Sequence, residues 1–264
     1  LYRIKGVKNG DTNNFENAPP PQERRLIKLT DLCVKNFRAF TLAEVLITIG
    51  IIGVVASLTL PVLVANYKKQ VTVTQLKKAY TEISQAIKLS ELQNGDVSSW
   101  EFTLSGTDFY YRYLQNYFIK NKEVQNRKLK NEYIVNNLNG TKCTSEVWCT
   151  QQDSFYIYLN NGSIMGIMTH EKQGKYKSVT IDINGFKKPN QLGKDFFVFS
   201  IISPDGLVPY GYKDGGISGM SYNTFDRNKL KSSVDYACNA RHKGIWCSAL
   251  IMTDGWEIKD DYPW

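Results

Sequence analysis

Four clustered cysteines, two histidines, one carboxylate at the start of an apolar run and one loop rich in Asp and Asn are the residues most able to do chemistry here. His170 and His242 are too few for a histidine-based metal or catalytic site, and ordinary surface or loop positions are expected for both. Cys143, Cys149, Cys238 and Cys247 lie in the polar C-terminal portion, whereas Cys33 stands N-terminal to the apolar run. Neither close pair has the C-x-x-C spacing of a zinc or redox motif. Four such cysteines point to two disulfides in an oxidising compartment, with buried free thiols as the alternative. Of three possible pairings, the local one, Cys143–Cys149 and Cys238–Cys247, is expected because each bond closes a short loop. The connection from Asp182 to Asp195 offers Asp182, Asn184 and Asp195 as oxygen ligands for Ca²⁺. Its spacing is not that of an EF-hand, and Asp and Asn also build turns by bonding their own backbone. A structural loop is therefore the first reading and calcium the lesser one; no other metal and no cofactor is expected. The chain has no G-x-S-x-G, H-E-x-x-H or phosphate-loop sequence, so an enzyme is not expected.

The elements that must position these residues begin with the apolar run. Val45 to Ala65 is 21 residues without a charge, enough at about 1.5 Å per residue to cross a hydrocarbon core of about 30 Å. A cleaved secretory signal has a shorter apolar core, about 7–15 residues, so retention of this segment is expected. Glu44 sits at its start and Pro61 near its far end, where a kink or local melting is favoured. An ionised carboxylate at a membrane helix centre costs about 2.5–3.5 kcal/mol, so Glu44 should have a partner. The net charge of the 264 residues is +8. Residues 1–39 hold eight Lys/Arg against four Asp/Glu, which leaves 25 against 21, about +4, for the rest. Such a weakly basic remainder does not by itself indicate nucleic-acid binding. The run from Lys120 to Lys130, with tyrosines nearby, keeps nucleic acid as a minor possibility.

Arg38-Ala39-Phe40-Thr41-Leu42-Ala43-Glu44-Val45-Leu46-Ile47, followed by the uncharged run, resembles the processing site of type IV prepilins and type II secretion pseudopilins. The resemblance implies removal of a basic leader between Ala39 and Phe40 by prepilin peptidase and N-methylation of Phe40. It also implies pairing of Glu44 with the terminal amine of a neighbouring subunit, and it gives Pro61 the place of the proline that pilin helices often carry. The family usually has Gly where this chain has Ala39; a small residue is kept, and cleavage efficiency is what the change touches. Partners implied are identical or related pilin subunits, the inner-membrane assembly machinery, and membrane lipid before assembly. Lys35 and Arg38 then fit a cytoplasmic leader, with the head outside the cytoplasm. Cys33 would be absent from the mature chain. Thirty-nine residues is long for a leader, and Val34–Ala39 would suffice as one. Translation from codon 34 is therefore expected, with residues 1–33 an upstream extension.

Beyond Pro61, Leu76, Ala79, Tyr80, Ile83 and Ile87 recur at three- and four-residue spacing, and Asn94-Gly95 is a stop signal. One helix from about Thr41 to Gln93 follows, and aromatic spacing from Phe109 to Phe118 predicts a short second helix. Phe155–Leu159 and Ser163–Met168 flank Asn160-Asn161-Gly162 as a hairpin. Val179–Ile183 and Phe196–Ile202 read as strands, and Ala249–Thr253 with Trp256–Ile258 as a last hairpin across Asp254-Gly255. The expected fold is α+β and pilin-like: leader 1–39, assembly helix 40–66, and a head 67–264 with an antiparallel sheet packed on the second half of the helix. A filament subunit is the leading functional reading. A single-span anchored module binding DNA or a surface ligand, without polymerising, is the contrasting one.

Overall fold

The computed structural model describes residues 40–118, 120–125, 133–144, 149, 155–168, 176–185, 187–210, 226–232 and 234–264. Ala39, His170 and the side chains of Lys120–Lys130 lie outside the described residues. The chain divides into two compact units, Leu1–Val55 and Ala56–Trp264.

Helix α1 runs from Leu42 to Asn94. Within the first unit every described residue is exposed. In the second unit Thr72, Leu76, Ala79, Ile83, Ala86, Ile87 and Ser90 are buried. That stripe at alternating steps of three and four is the face a helix lays on a sheet. Each fully buried Leu or Ile contributes about 1.5–3 kcal/mol, so this half of α1 is held by packing. Gly95 ends the helix at φ +77°, the left-handed turn that glycine tolerates, and its N–H donates to the Glu91 carbonyl at 3.0 Å. Helix α2, Gly106–Tyr113, is capped by Ser105, whose hydroxyl accepts from the Asp108 N–H at 3.0 Å. It buries Phe109, Tyr110 and Tyr113, and Tyr113 stacks on Trp100 with centroids 4.5 Å apart.

Six strands then pair antiparallel in chain order: β1 Lys120–Gln125, β2 Phe155–Leu159, β3 Ile164–Met168, β4 Tyr176–Asp182, β5 Phe196–Ile202 and β6 Gly206–Pro209. Directly paired residues share a face. Phe155, Ile157, Met165, Ile167, Val179, Ile181, Phe197, Phe199 and Ile201 thus form one apolar face. Tyr80 of α1 meets it: its ring lies 5.7 Å from that of Phe199, and its hydroxyl donates to the Leu207 carbonyl at 3.2 Å. Lys177 shares this face and is fully buried; its ammonium donates to the Leu104 carbonyl and lies over the Phe109 ring. On the opposite face Tyr156, Gly166 and Thr180 line up across three strands. A Cβ at Gly166 would lie 2.5 Å from the Thr180 hydroxyl and 2.9 Å from the Tyr156 ring, so only glycine fits.

The α+β, pilin-like arrangement expected from the sequence is present. The first hairpin and the Phe196–Ile202 strand fall where the pattern puts them, and the Val179–Ile183 strand is Tyr176–Asp182. The last hairpin is a correction. Residues Cys247–Thr253 form helix α4, preceded by α3 at Arg227–Leu230. Five consecutive residues, Cys247 to Ile251, are buried, and a short, wholly buried segment carries no periodicity that separates helix from strand. Asp254-Gly255 is a helix stop: Gly255 N–H donates to Met252 O at 3.1 Å and Trp256 N–H to Ile251 O at 2.9 Å, the paired bonds of a Schellman end.

Candidate functional site

Two regions carry the residues singled out in the sequence. At the first, Thr41 precedes α1 and Glu44 is its third helical residue. The Thr41 N–H and hydroxyl both donate to Glu44 Oε2 at 2.8 Å, and the Thr41 hydroxyl accepts from the Glu44 N–H at 3.2 Å. This is a capping box, in which two otherwise orphaned N–H groups at the helix start are satisfied reciprocally. The sequence reading assigned no role to Thr41, although T-x-x-E ahead of an apolar run is the signature of such a cap. Phe40, the residue that would become the new terminus, is 83% exposed. From Val45 to Ala65 the helix presents large exposed apolar side chains, among them Ile52, Leu58 and Leu63, and no charged residue. It is long and apolar enough to cross a membrane. Pro61 lies inside α1, which continues through it although the ring nitrogen has no hydrogen to donate.

The second region is the loop between β4 and β5, which brings Asp182, Asn184 and Asp195 together. Asp182 accepts from the Asn184 N–H at 3.1 Å and from the Tyr133 hydroxyl. Asp195 accepts from the N–H groups of Asn190 at 2.8 Å and Gln191 at 2.6 Å, and from the Asn184 amide nitrogen at 3.1 Å. Asn190 holds the left-handed φ of +49° that lets its N–H turn inward. Both carboxyls are buried. Burial pushes Asp182 up to about 7 against the hydrogen bonds from Tyr133 and Asn184, and it raises Asp195 as well. Burial, with the neighbouring Asp182, also raises Tyr133 well above its usual range. The donors converge on the carboxylate oxygens, and Asn184 turns its nitrogen, not its oxygen, to Asp195. That is the chemistry of a tied turn. Among the described residues no group of three or more His, Cys, Asp or Glu could hold a metal ion.

The cysteines are joined as Cys143–Cys149 and Cys238–Cys247, with Cα atoms 6.1 and 4.7 Å apart. The second bond ties the start of α4 to the segment after α3. His242 is half-buried in the adjoining loop. Nothing in the sequence announced the Arg227 cluster. Its guanidinium donates to Asp254 at 2.6 and 3.0 Å and to Asp261 at 2.6 and 2.8 Å, fastening the C-terminal segment to α3. Burial pushes Asp254 up, but hydrogen bonds from Arg227 and Lys259 outweigh it and hold the carboxyl below its usual range.

Comparison with known proteins gives two matches. Residues 34–60 match the prokaryotic N-terminal methylation motif, and residues 62–264 match a family of unknown function, DUF6613. No curated protein and no solved structure matches the chain.

Proposed function

We propose, from the premise that the chain belongs to the DUF6613 family and carries a prokaryotic N-terminal methylation motif at residues 34–60, that it is a subunit of a type IV pilus or related pseudopilus. Prepilin peptidase cuts it between Ala39 and Phe40, Phe40 is N-methylated, and the subunit waits in the inner membrane with its head outside the cytoplasm. It then polymerises with identical or related subunits through the first half of α1. The observation that carries this reading is the pairing of one charged residue, Glu44, with an otherwise uncharged and exposed helical surface. A plain membrane anchor has no use for a carboxylate there.

The capping box supplies the physical logic of storage. In an unassembled subunit the Glu44 carboxylate is served by donors of its own chain, Thr41 N–H and hydroxyl, which lowers the cost of holding it near lipid. On assembly the methylated amine of a neighbour takes up the same carboxylate. Breaking one side of a buried ion pair costs about 3–5 kcal/mol, so only the register that makes the pair survives. Pro61 gives the helix a place to yield as subunits pack.

The test is the N-terminus and intact mass of the protein from envelope and sheared-surface fractions, together with filament yield for Glu44→Ala. A chain starting at N-methylated Phe40, with the variant inserted in the membrane but unable to form filaments, is the expected result. A chain retaining its leader, one cut after the apolar run, or normal filaments from Glu44→Ala would overturn the reading.

A further inference from the structure

Three segments distant in sequence, residues 136–142, 187–195 and 239–244, meet beyond the β4–β5 end of the sheet. Asn136 donates its N–H to the Asn190 carbonyl and accepts from the Leu192 N–H, both at 2.8 Å. Leu138 and Asn139 donate to the carbonyls of Lys243 and His242 at 2.9 and 3.1 Å. Gln191 bridges the first two segments through its side-chain nitrogen, at 3.1 Å from the Asn137 carbonyl and 2.8 Å from that of Leu138. The segments so joined carry Lys142, Lys187, Lys188 and Arg241, which are exposed, and Lys194 and Lys243, which are half-buried. The one carboxylate within these segments, Asp195, is buried and committed to the turn beneath. Lys243 pairs with Asp235 at 2.5 Å, while the other five make no ion pair among the described residues. Cations elsewhere in the head are more often matched, as Arg112 is with Glu101 and Arg227 with Asp254 and Asp261.

We propose that this loop cluster docks the phosphate backbone of double-stranded nucleic acid. Charges of one sign held on a braced surface raise the local potential and attract a polyanion. Duplex DNA carries one charge per about 1.7 Å of axis, so it meets several such cations at once. Asn139 and Asn239 each spend one amide hydrogen within the loops and have a second of the type that bonds phosphate oxygens. The three segments contain no Phe, Tyr or Trp, so they offer no platform for an unpaired base or a sugar ring. Leu138 and Leu192, their large aliphatic side chains, are buried and cannot enter a lipid surface. The inference does not rest on polymerisation: it holds or fails for the unassembled subunit.

The experiment uses the full chain in neutral detergent and a fluorescent mixed-sequence DNA duplex, with anisotropy followed from 50 to 300 mM salt. The expected slope of log K against log salt is about −0.9 per phosphate neutralised, hence about −4 to −5 for five cations. Replacing Lys187, Lys188 and Arg241 with Ala should weaken binding at least tenfold at 100 mM salt and flatten the slope by about 2–3. A Lys142→Ala/Lys194→Ala pair should act in the same direction, and Lys77→Ala/Lys78→Ala on α1 should change nothing. Absence of binding at 50 mM salt would overturn the proposal. So would loss of binding with the α1 pair alone, or equally tight binding to a sulfated glycan or to phosphatidylglycerol vesicles.

Discussion

Asp182→Asn separates the charge at the centre of the β4–β5 loop from its shape. Asp182 is buried and, with its carboxyl moved from an ordinary 3.8 to about 7 mainly by burial, is held protonated by the fold through most of the acid range. Between those two values the folded head binds a proton that the unfolded chain has released, so stability is full below about pH 4 and falls as pH rises through 7. At about 1.4 kcal/mol per pH unit the whole span is worth about 4 kcal/mol, and roughly 2–3 kcal/mol of it lies between pH 5 and 7.5. The depressed carboxyls, Asp254 and Asp261, titrate below this window and act with the opposite sign, so they do not obscure it. Asp195 is raised too, which is why the comparison must be made between wild type and variant. The amide put in place of the carboxyl still offers Tyr133 an acceptor oxygen but carries no charge. The assay is denaturant unfolding of the full chain in neutral detergent, with disulfides intact, followed by tryptophan fluorescence at pH 5, 6, 7 and 7.5. Wild type should lose stability steadily, and the variant should lose about 2–3 kcal/mol less across the series. Parallel pH profiles for the two proteins, or a wild type that gains stability with pH across the window, would refute the reasoning.

Other perturbations read different parts of the head. Ile83 is fully buried under the sheet, and Ile83→Ala should lower the unfolding free energy by about 2–5 kcal/mol, seen as a reduced denaturant midpoint. Replacing Cys238 and Cys247 together with Ser removes a bond spanning nine residues and should cost about 2–3 kcal/mol; an unchanged midpoint would show that other contacts already fix α4. Burial holds Lys177 down to about 8, so wild type should gain stability as pH rises from 8 towards 10. Lys177→Met, which keeps the volume and drops the charge, should abolish that rise while costing less than about 1.5 kcal/mol at pH 8.

What could be read from the sequence follows how locally each feature is encoded. Helix α1 was legible because Leu76, Ala79, Ile83 and Ile87 repeat a period that only a helix produces. The β2–β3 hairpin was legible because Asn161-Gly162 is a turn wherever it stands between apolar runs: Gly162 takes φ +86° and Asn161 accepts from Ser163 N–H at 2.9 Å. Strand β6 escaped notice because four residues ending in proline are too few to show alternation, and β1, KNKEVQ, carries a single large aliphatic residue. Helix α4 was misread because burial on all sides erases the pattern that would have identified it.

The candidate sites divide along the same line. Phe40, Glu44 and the run behind them form a linear motif, complete within 26 residues, and even the missed Thr41 cap lies three residues from Glu44. The Asp182 turn depends on Tyr133, 49 positions earlier, and the basic loop cluster on three segments spread over about a hundred residues. Neither has a local signature, because each is made by the return of the chain to one end of the sheet. The net charge of the whole chain hid the cluster for a physical reason: paired cations elsewhere contribute to the sum but cancel at the surface, whereas these five make no ion pair among the described residues. The processing motif, and the assembly proposed to follow it, are therefore written along the helix in consecutive residues. Whatever the head recognises is written in the tertiary structure, where sequence distance carries no weight.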